Sequence, residues 1–167
     1  MGRLLFPEGR RWIGEPGPRL TSPVIESAAE SNRDHLDHVV GRIVDMLTGV
    51  TEPRVAVWGL AFKANTDDVR SSPALEIIER LQAGQVSVCA HDPVAVADSA
   101  IEQSDLLGAC ADADLLVVVT EWGVFGEADL ARVASVMRRP AIFDLRAVID
   151  LAAADAAGCT LVRLGHR

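Results

Sequence analysis

The stretch that decides the fold is Val55-Ala-Val-Trp-Gly-Leu-Ala-Phe-Lys-Ala-Asn-Thr-Asp-Asp-Val-Arg-Ser-Ser-Pro73. Together with Arg54, its first residues form a short apolar run that is typical of a buried strand and ends where Gly59 permits a turn. From Lys63 the residues are mostly polar as far as Ser72, whose hydroxyl can cap a helix that has proline at its first position. We therefore predict a strand at 54–58, a loop, and a helix at Pro73–Ala83 that closes near Gly84.

The rest of the chain repeats this alternation of short apolar runs and helical patterns. Further strands are predicted at Val86–His91, Leu115–Thr120, Ala141–Leu145 and Thr160–Leu164, and further helices around Ile101–Cys110, at Leu130–Met137 and at Leu151–Ala156. Parallel strands that are covered on both faces have such nearly continuous apolar sequences. The pattern predicts an α/β fold with a doubly wound, mainly parallel sheet, in which ligands bind outside the carboxyl ends of the strands.

A long helix is predicted before the first strand, with Ser22 as its cap and Pro23 at its first position. Its main face consists of positions spaced alternately by four and three residues: Ile25, Ala29, Asn32, Leu36, Val39, Ile43 and Met46. A second stripe widens that face with Ala28, Val40, Val44 and Leu47. At 1.5 Å per residue the helix would be about 40 Å long, more than a domain of this size needs for its own core. The pattern favours a helix that contacts both its own sheet and a partner.

The division of the chain follows from these elements. We predict an irregular lead at residues 1–21, a long dimerisation helix at 22–48 and an α/β domain at 50–167. The lead contains Gly14-Glu15-Pro16-Gly17-Pro18, a composition that resists regular structure.

Composition excludes several classes of function. The 167 residues include 16 basic and 24 acidic side chains, a net charge of −8, so nucleic acid is not an expected partner. The longest apolar runs, such as Leu115–Val119, are far shorter than the roughly 20 residues of a membrane span, and residues 1–20 carry no apolar signal segment. We predict a cytoplasmic protein with no membrane partner.

The cysteines and histidines indicate neither a disulfide framework nor a metal site. Cys89, Cys110 and Cys159 are odd in number and form no CxxC pair. Cys89 and Cys159 fall in apolar runs, which is typical of buried thiols. His35, His38 and His91 have no accompanying set of metal ligands, so no metal is predicted.

Lys63 is the single lysine in a chain with fifteen arginines. A compact ammonium at that position, together with Arg70 and the start of the next helix, predicts an anion site at the carboxyl end of the first strand. The alternative is that both cations pair with Asp67 and Asp68 in an exposed loop. Gly59 alone is not the GxGxxG signature, so a self-sufficient NAD site is not predicted.

Four motifs together resemble the C-terminal, nucleotide-sugar-binding domain of the UDP-glucose/GDP-mannose dehydrogenase family. They are the run from Gly59 to Pro73, His91-Asp92-Pro93, Thr120-Glu121-Trp122 with Phe125, and Asp144-Leu145-Arg146 before Gly158. The long helix with Asn32 resembles the end of the family's central dimerisation helix, so the likeness covers roughly residues 22–167. It implies a Rossmann-like fold and a homodimer formed through helix 22–48.

The resemblance also implies an activity and its binding residues. Family members oxidise the sugar C6 alcohol of a nucleotide sugar to a carboxylate in two NAD-dependent steps, through a thiohemiacetal on a cysteine. By this likeness, Phe62 and Lys63 contact the UDP-sugar, Arg146 binds it from another loop, and Arg70 reaches toward NAD. Asp92 and Asp144 are interpreted as turn-forming residues, with a ribose contact as the lesser alternative. Trp122 and Phe125 are interpreted as packing residues, and the lesser alternative for them is that they line the cleft.

Departures from the family pattern set the limits of this inference. Leu145 stands where the family has glycine, Ala147 where asparagine is common, and Ser71 where glutamate is frequent. The NAD domain and the catalytic cysteine would precede the long helix, so no catalytic residue is assigned and no activity is expected from the chain alone. Three hypotheses stay open: part of a dehydrogenase completed by a separate NAD-domain chain, a non-catalytic nucleotide-sugar-binding or dimerisation module, and an unrelated NAD- or CoA-binding domain.

Overall fold

The computed structural model describes residues 23–164. The predicted lead at 1–21 and the predicted cap at Ser22 lie outside this range, and the side chains of Ile25, Ala28 and Ala29 are also outside the described set. The chain divides into two compact units, Met1–Asp34 and His35–Arg167. In the first unit the described residues belong to the beginning of helix α1, Pro23–Met46, and all the other elements lie in the second.

The second unit is built on one sheet of six parallel strands. The strands are β1 Arg54–Trp58, β2 Ser87–His91, β3 Glu102–Gln103, β4 Leu115–Val118, β5 Ala141–Asp144 and β6 Thr160–Arg163, in the order β3-β2-β1-β4-β5-β6. At the carboxyl end of β1, Trp58 pairs with His91 of β2 and with Val118 of β4. This is the doubly wound order, and it confirms the predicted fold class.

Five of the six strands and most helices lie where the sequence predicts them. The helices after α1 are α2 Pro73–Ala83, α3 Leu106–Cys110, α4 Gly123–Gly126, α5 Leu130–Val136 and α6 Leu151–Ala156. Ser72 Oγ accepts a hydrogen bond from the Ala74 N–H, and Gly84 follows the last turn, so both predicted ends of α2 are confirmed.

The segment around Ile101–Cys110 differs from the prediction of a single helix. Its beginning is the short edge strand β3, whose Glu102 and Gln103 pair with Cys89 and Ala90. Helix α3 starts only after Asp105, whose side chain accepts from the Gly108 N–H. Asp105 is an N-cap, so it ends the strand and limits the helix to the residues after it.

The part of helix α1 that belongs to the second unit contributes residues of both predicted stripes to the core of that unit. Val39, Ile43 and Leu47, the last just beyond the helix, are buried in the core, whereas Val44 is 51% exposed. An ion pair between Asp37 and Arg80 joins α1 to α2. The predicted second stripe is therefore split: Leu47 belongs to the core and Val44 faces outward.

None of the helices in the described part of the chain has an apolar stretch of the length that a bilayer requires.

Candidate functional site

The turn after β1 lies where the strand order reverses, between β1 and β4, the point at which folds of this kind bind their ligands. Gly59 has a φ of +95°, and a Cβ placed there would lie 2.5 Å from Thr120 Cβ and 2.8 Å from Thr120 N. Thr120 Oγ1 also donates a 2.8 Å hydrogen bond to the Ala61 carbonyl. Only glycine permits this approach, so the loops after β1 and β4 touch directly.

Asp92, at the carboxyl end of β2, holds the same turn with its carboxylate. Its Oδ2 accepts from the N–H groups of Leu60 (2.8 Å) and Ala61 (3.0 Å) and from Trp122 Nε1 (3.2 Å). Its Oδ1 accepts from the backbone N–H groups of Val94 (3.0 Å) and Ala95 (2.8 Å). Partial burial opposes ionisation, but these backbone hydrogen bonds outweigh it and lower the pKa of Asp92.

These contacts occupy the backbone N–H groups that a dinucleotide would normally bind. In the dinucleotide-binding turn, free backbone N–H groups and a helix N-terminus meet the pyrophosphate. Here Asp92 occupies the N–H groups of Leu60 and Ala61, and α2 begins only at Pro73, with its first turn capped by Ser72. The residues of this turn therefore do not fit NAD.

Phe62 and Lys63 follow the turn and lie at the surface. Phe62 is 53% exposed, and its N–H donates to the Asp68 carbonyl at 2.9 Å. Lys63 is exposed and forms no ion pair with any of the described carboxylates. The alternative that Lys63 pairs with Asp67 or Asp68 is not what the described loop adopts.

Arg70 makes the internal ion pair that the alternative interpretation predicts. Its Nε and Nη2 donate to the two oxygens of Asp68 at 2.8 and 2.7 Å, and they lower the pKa of Asp68 to about 2. The Arg70 side chain is 88% exposed, so solvent screens this pair strongly. Asp68 thus orders the loop, and it leaves Arg70 directed at its own segment.

Arg146 is oriented from several sides at the end of β5. Its Nε donates to the Val119 carbonyl at 2.7 Å and lies 3.4 Å from a Glu121 carboxylate oxygen. Its backbone N–H donates to Asp144, which is buried and also accepts from Ile149. Asp144 and Asp92 thus both make the turn contacts that the sequence predicts.

A cleft of about 210 Å³ lies beside Arg146. Its other lining residues are mostly apolar: His35, Leu36, Val39, Pro73, Ile77, Val119, Leu145 and Leu164. The backbone next to the cleft is strained, because Ala147 has a φ of +56°, a conformation that asparagine tolerates better than alanine. Ala147 therefore stands at a position whose backbone conformation suits the asparagine that is common there in the family.

Trp122, Phe125 and the three cysteines are buried. Phe125 stacks on Trp58 with ring centroids 5.2 Å apart. All three cysteines are buried thiols, and burial raises the pKa of Cys110 to about 12. Among the side chains that the structure describes, His, Cys, Asp and Glu form no cluster of metal-ligating geometry.

The structure places the predicted ligand residues on one edge of the sheet, on both sides of β4. The loop of Phe62 and Lys63 is joined to this strand end through Thr120, and Arg146 through Val119. Because neighbouring strands are about 4.8 Å apart, the ends of β1 and β5 are about 10 Å apart. Asp92 forms a turn as the sequence predicts, but its long-range contacts and those of Thr120 and Glu121 were missed, although all three belong to motifs that the sequence singled out.

Comparison with known proteins connects this edge to a family. Residues 56–151 match the model of the UDP-glucose/GDP-mannose dehydrogenase family, UDP binding domain. The chain is 37% identical over 150 residues to the UDP-glucose 6-dehydrogenase TuaD of Bacillus subtilis, a match that covers 86% of this chain and 32% of that protein.

Solved structures give the same relation. A UDP-D-ManNAc dehydrogenase from Pyrococcus horikoshii superposes with a TM-score of 0.71 at 26% identity, over 89% of this chain and 35% of that one. An NDP-N-acetyl-D-galactosaminuronic acid dehydrogenase from Methanosarcina mazei shares the fold, with a TM-score of 0.77 at 24% identity over 93% of this chain and 34% of that one.

The chain spans about a third of the length of the curated relatives that it matches. Its match to the family model covers more than half of its own residues and includes the turn after β1, Asp92 and Arg146. The chain belongs to the UDP-glucose/GDP-mannose dehydrogenase family, and the part of that family that it represents is the UDP binding domain.

Proposed function

We propose that this domain binds a UDP-sugar at the carboxyl edge of its sheet, with Lys63 and Arg146 contacting the diphosphate and Phe62 packing against the ligand. The observation that carries the proposal is the placement of two cationic side chains at the ends of β1 and β5, on either side of β4. A diphosphate can meet both, because the two strand ends are about 10 Å apart and both side chains are long.

Local charge supports this assignment in an acidic chain. With a net charge of −8, the domain offers a diphosphate no general attraction, so affinity has to come from individual hydrogen bonds. The Val119 carbonyl fixes Arg146 through Nε, which leaves the outer edge of the guanidinium for a bidentate contact. Fixing the side chain in advance lowers the entropy cost of that contact.

Calorimetric titration with UDP tests the proposal. Each charge-assisted hydrogen bond contributes about 1.5–3 kcal/mol, so Lys63→Ala and Arg146→Ala should each weaken UDP binding by about tenfold to hundredfold. The matched control is Arg132→Ala, which removes an exposed cation from α5 and should leave the affinity unchanged. Equal affinities in all four proteins, or no binding of UDP by the wild type, would refute the site.

The wider reaction is part of the same proposal. We propose that the bound UDP-sugar is oxidised with NAD as the electron acceptor, and that an NAD-binding domain outside the described residues, on this or another chain, supplies the cofactor site. Arg70 would then have to leave Asp68 to reach NAD. NADH formation from UDP-glucose in the presence of a relative's NAD-binding domain is the corresponding assay. A cytoplasmic location stays a prediction from the sequence.

We also propose a homodimer formed through helix 22–48. On the part of α1 in the second unit, Val44 is 51% exposed and lies one turn from the half-buried Val40. Two copies would bury these side chains together.

Light scattering measures this association. Val44→Asp should convert a dimer into a monomer, because a charge in an apolar interface is costly to bury. Leu151→Asp, which alters an equally exposed apolar side chain on α6, should leave the mass unchanged. A monomeric wild type would disprove the dimer.

A further inference from the structure

Asp92 stands out because its five hydrogen bonds join three loops of the candidate site. The loops follow β1, β2 and β4, and the donors are Leu60 N–H, Ala61 N–H, Val94 N–H, Ala95 N–H and Trp122 Nε1. A carboxylate that accepts this many N–H groups acts as a fixed anion inside the turn.

The carboxylate of Asp92 lies beside the backbone N–H groups that follow β1. The backbone N–H groups after β1 are the ones that approach a nucleotide phosphate in dinucleotide-binding folds. In this domain they already have a negatively charged partner, and it comes from the chain itself. The geometry explains why the edge can have the doubly wound topology and still not fit NAD.

We propose that Asp92 is a positioning residue for UDP-sugar binding: it takes the place of a phosphate at the turn after β1, and so holds Phe62 and Lys63 at the edge while keeping dinucleotides out. This proposal rests on the proposed function for its ligand. Ala61, which Asp92 holds through its N–H, directly precedes Phe62 and accepts the Thr120 hydroxyl with its carbonyl. Any shift of this residue is passed on to Phe62 and Lys63.

The charge of Asp92 is maintained over the useful pH range. Because its pKa is lowered, Asp92 is ionised at every pH above the ordinary pKa of an aspartate. Its contacts are lost only when the pH falls through the lowered pKa. We therefore expect the turn to be unchanged between about pH 5 and 8.

The test compares Asp92→Asn with Asp114→Asn in the full chain. Asp114 is a buried carboxylate that likewise accepts from N–H groups, Arg54 N–H at 2.9 Å and Arg138 Nη2 at 2.7 Å. It lies just before β4, at the opposite end of the strands from Asp92. Asparagine keeps the size of the side chain and removes the charge. Its NH2 group cannot accept a hydrogen bond, so the N–H groups that donate to one of the two Asp92 oxygens lose their acceptor. Both variants should lower the melting temperature, and only the first should affect the turn.

Two readouts separate positioning from general stability. In NMR spectra, Asp92→Asn should shift the signals of the four backbone amides that donate to Asp92 and of the Trp122 indole N–H. It should also speed up exchange of the pair that loses its acceptor, Leu60 and Ala61 or Val94 and Ala95, by about tenfold or more, whereas Asp114→Asn should leave all of them in place. UDP affinity should fall by about tenfold in Asp92→Asn alone, the loss expected for a displaced charge-assisted contact.

Several results would overturn the proposal. They are unchanged exchange at all four amides that donate to Asp92 in Asp92→Asn, unchanged UDP affinity once any of those amides has shifted, or binding of NAD by the wild type as tight as that of UDP. If Asp92→Asn does not fold, the wild type still decides, because fast exchange of the Leu60 and Ala61 amides would contradict the hydrogen bonds to Asp92. If the wild type fails to bind UDP, the proposed function falls, while the amide exchange continues to test the role of Asp92 in the turn.

Discussion

Replacing Gly59 with alanine is expected to lower the free energy of unfolding by about 3 kcal/mol or more. The residue has a φ of +95°, and its missing Cβ would lie 2.5 Å from Thr120 Cβ and 2.6 Å from Thr120 Oγ1. A third neighbour, Thr120 N at 2.8 Å, belongs to the backbone and cannot rotate away. Relief requires that the loops after β1 and β4 separate, and this would also break the hydrogen bond from Thr120 Oγ1 to Ala61.

Gly158→Ala is the matched control for this substitution. Gly158 also has a positive φ, +71°, but nothing lies within 4 Å of its added Cβ. That variant should lose only the conformational preference of glycine, about 1 kcal/mol. Urea denaturation of both variants measures the difference, which isolates the close approach to Thr120. Equal losses at the two glycines would show that the loops after β1 and β4 are not in contact.

How far the sequence determines the fold depends on how local the determining contacts are. Strand β1 and helix α2 are predicted with the correct bounds, because an apolar run, a capping serine and a proline are all read within a few neighbouring residues. Strand β3 is not predicted, because Glu102 and Gln103 are polar and become a strand only by pairing with Cys89 and Ala90 at the sheet edge. Helix α4 has glycine at both ends and depends on the burial of Phe125.

The same distinction applies to the candidate site. Lys63 is conspicuous in the sequence because it is the single lysine, and Ser72 because of the proline that follows it. The sequence indicates a turn at Asp92 but not its distant partners, because Leu60 and Trp122 lie about thirty residues away on either side and meet it only when β1, β2 and β4 are adjacent. Arg146 likewise obtains its orientation from the Val119 carbonyl of a neighbouring strand end. Long-range backbone contacts fix this edge, and they leave no signature in spacing.

Replacing Phe125 with alanine should lower the free energy of unfolding by about 3–5 kcal/mol, the usual loss for a large side chain removed from a core. Phe125 is fully buried, stacks on Trp58 at 5.2 Å and meets the edge of His91 at 6.2 Å between ring centroids. It thereby connects α4 to the ends of β1 and β2, directly beneath the candidate site. Trp58 in turn donates from Nε1 to the Leu106 carbonyl, so a cavity here would loosen α3 as well.

The effect on ligand binding distinguishes packing from a place in the cleft. If Phe125 only packs, Phe125→Ala should bind UDP within about twofold of the wild type at a temperature well below its own transition, because the substitution removes no contact with the ligand. Phe125→Leu keeps most of the apolar volume and should be only mildly destabilised, so it permits the comparison if the alanine variant does not fold. A large loss of UDP affinity in the stable leucine variant would assign Phe125 to the ligand after all. An unchanged affinity would leave UDP recognition to the other side chains of the candidate site, of which Lys63 and Arg146 carry the charge.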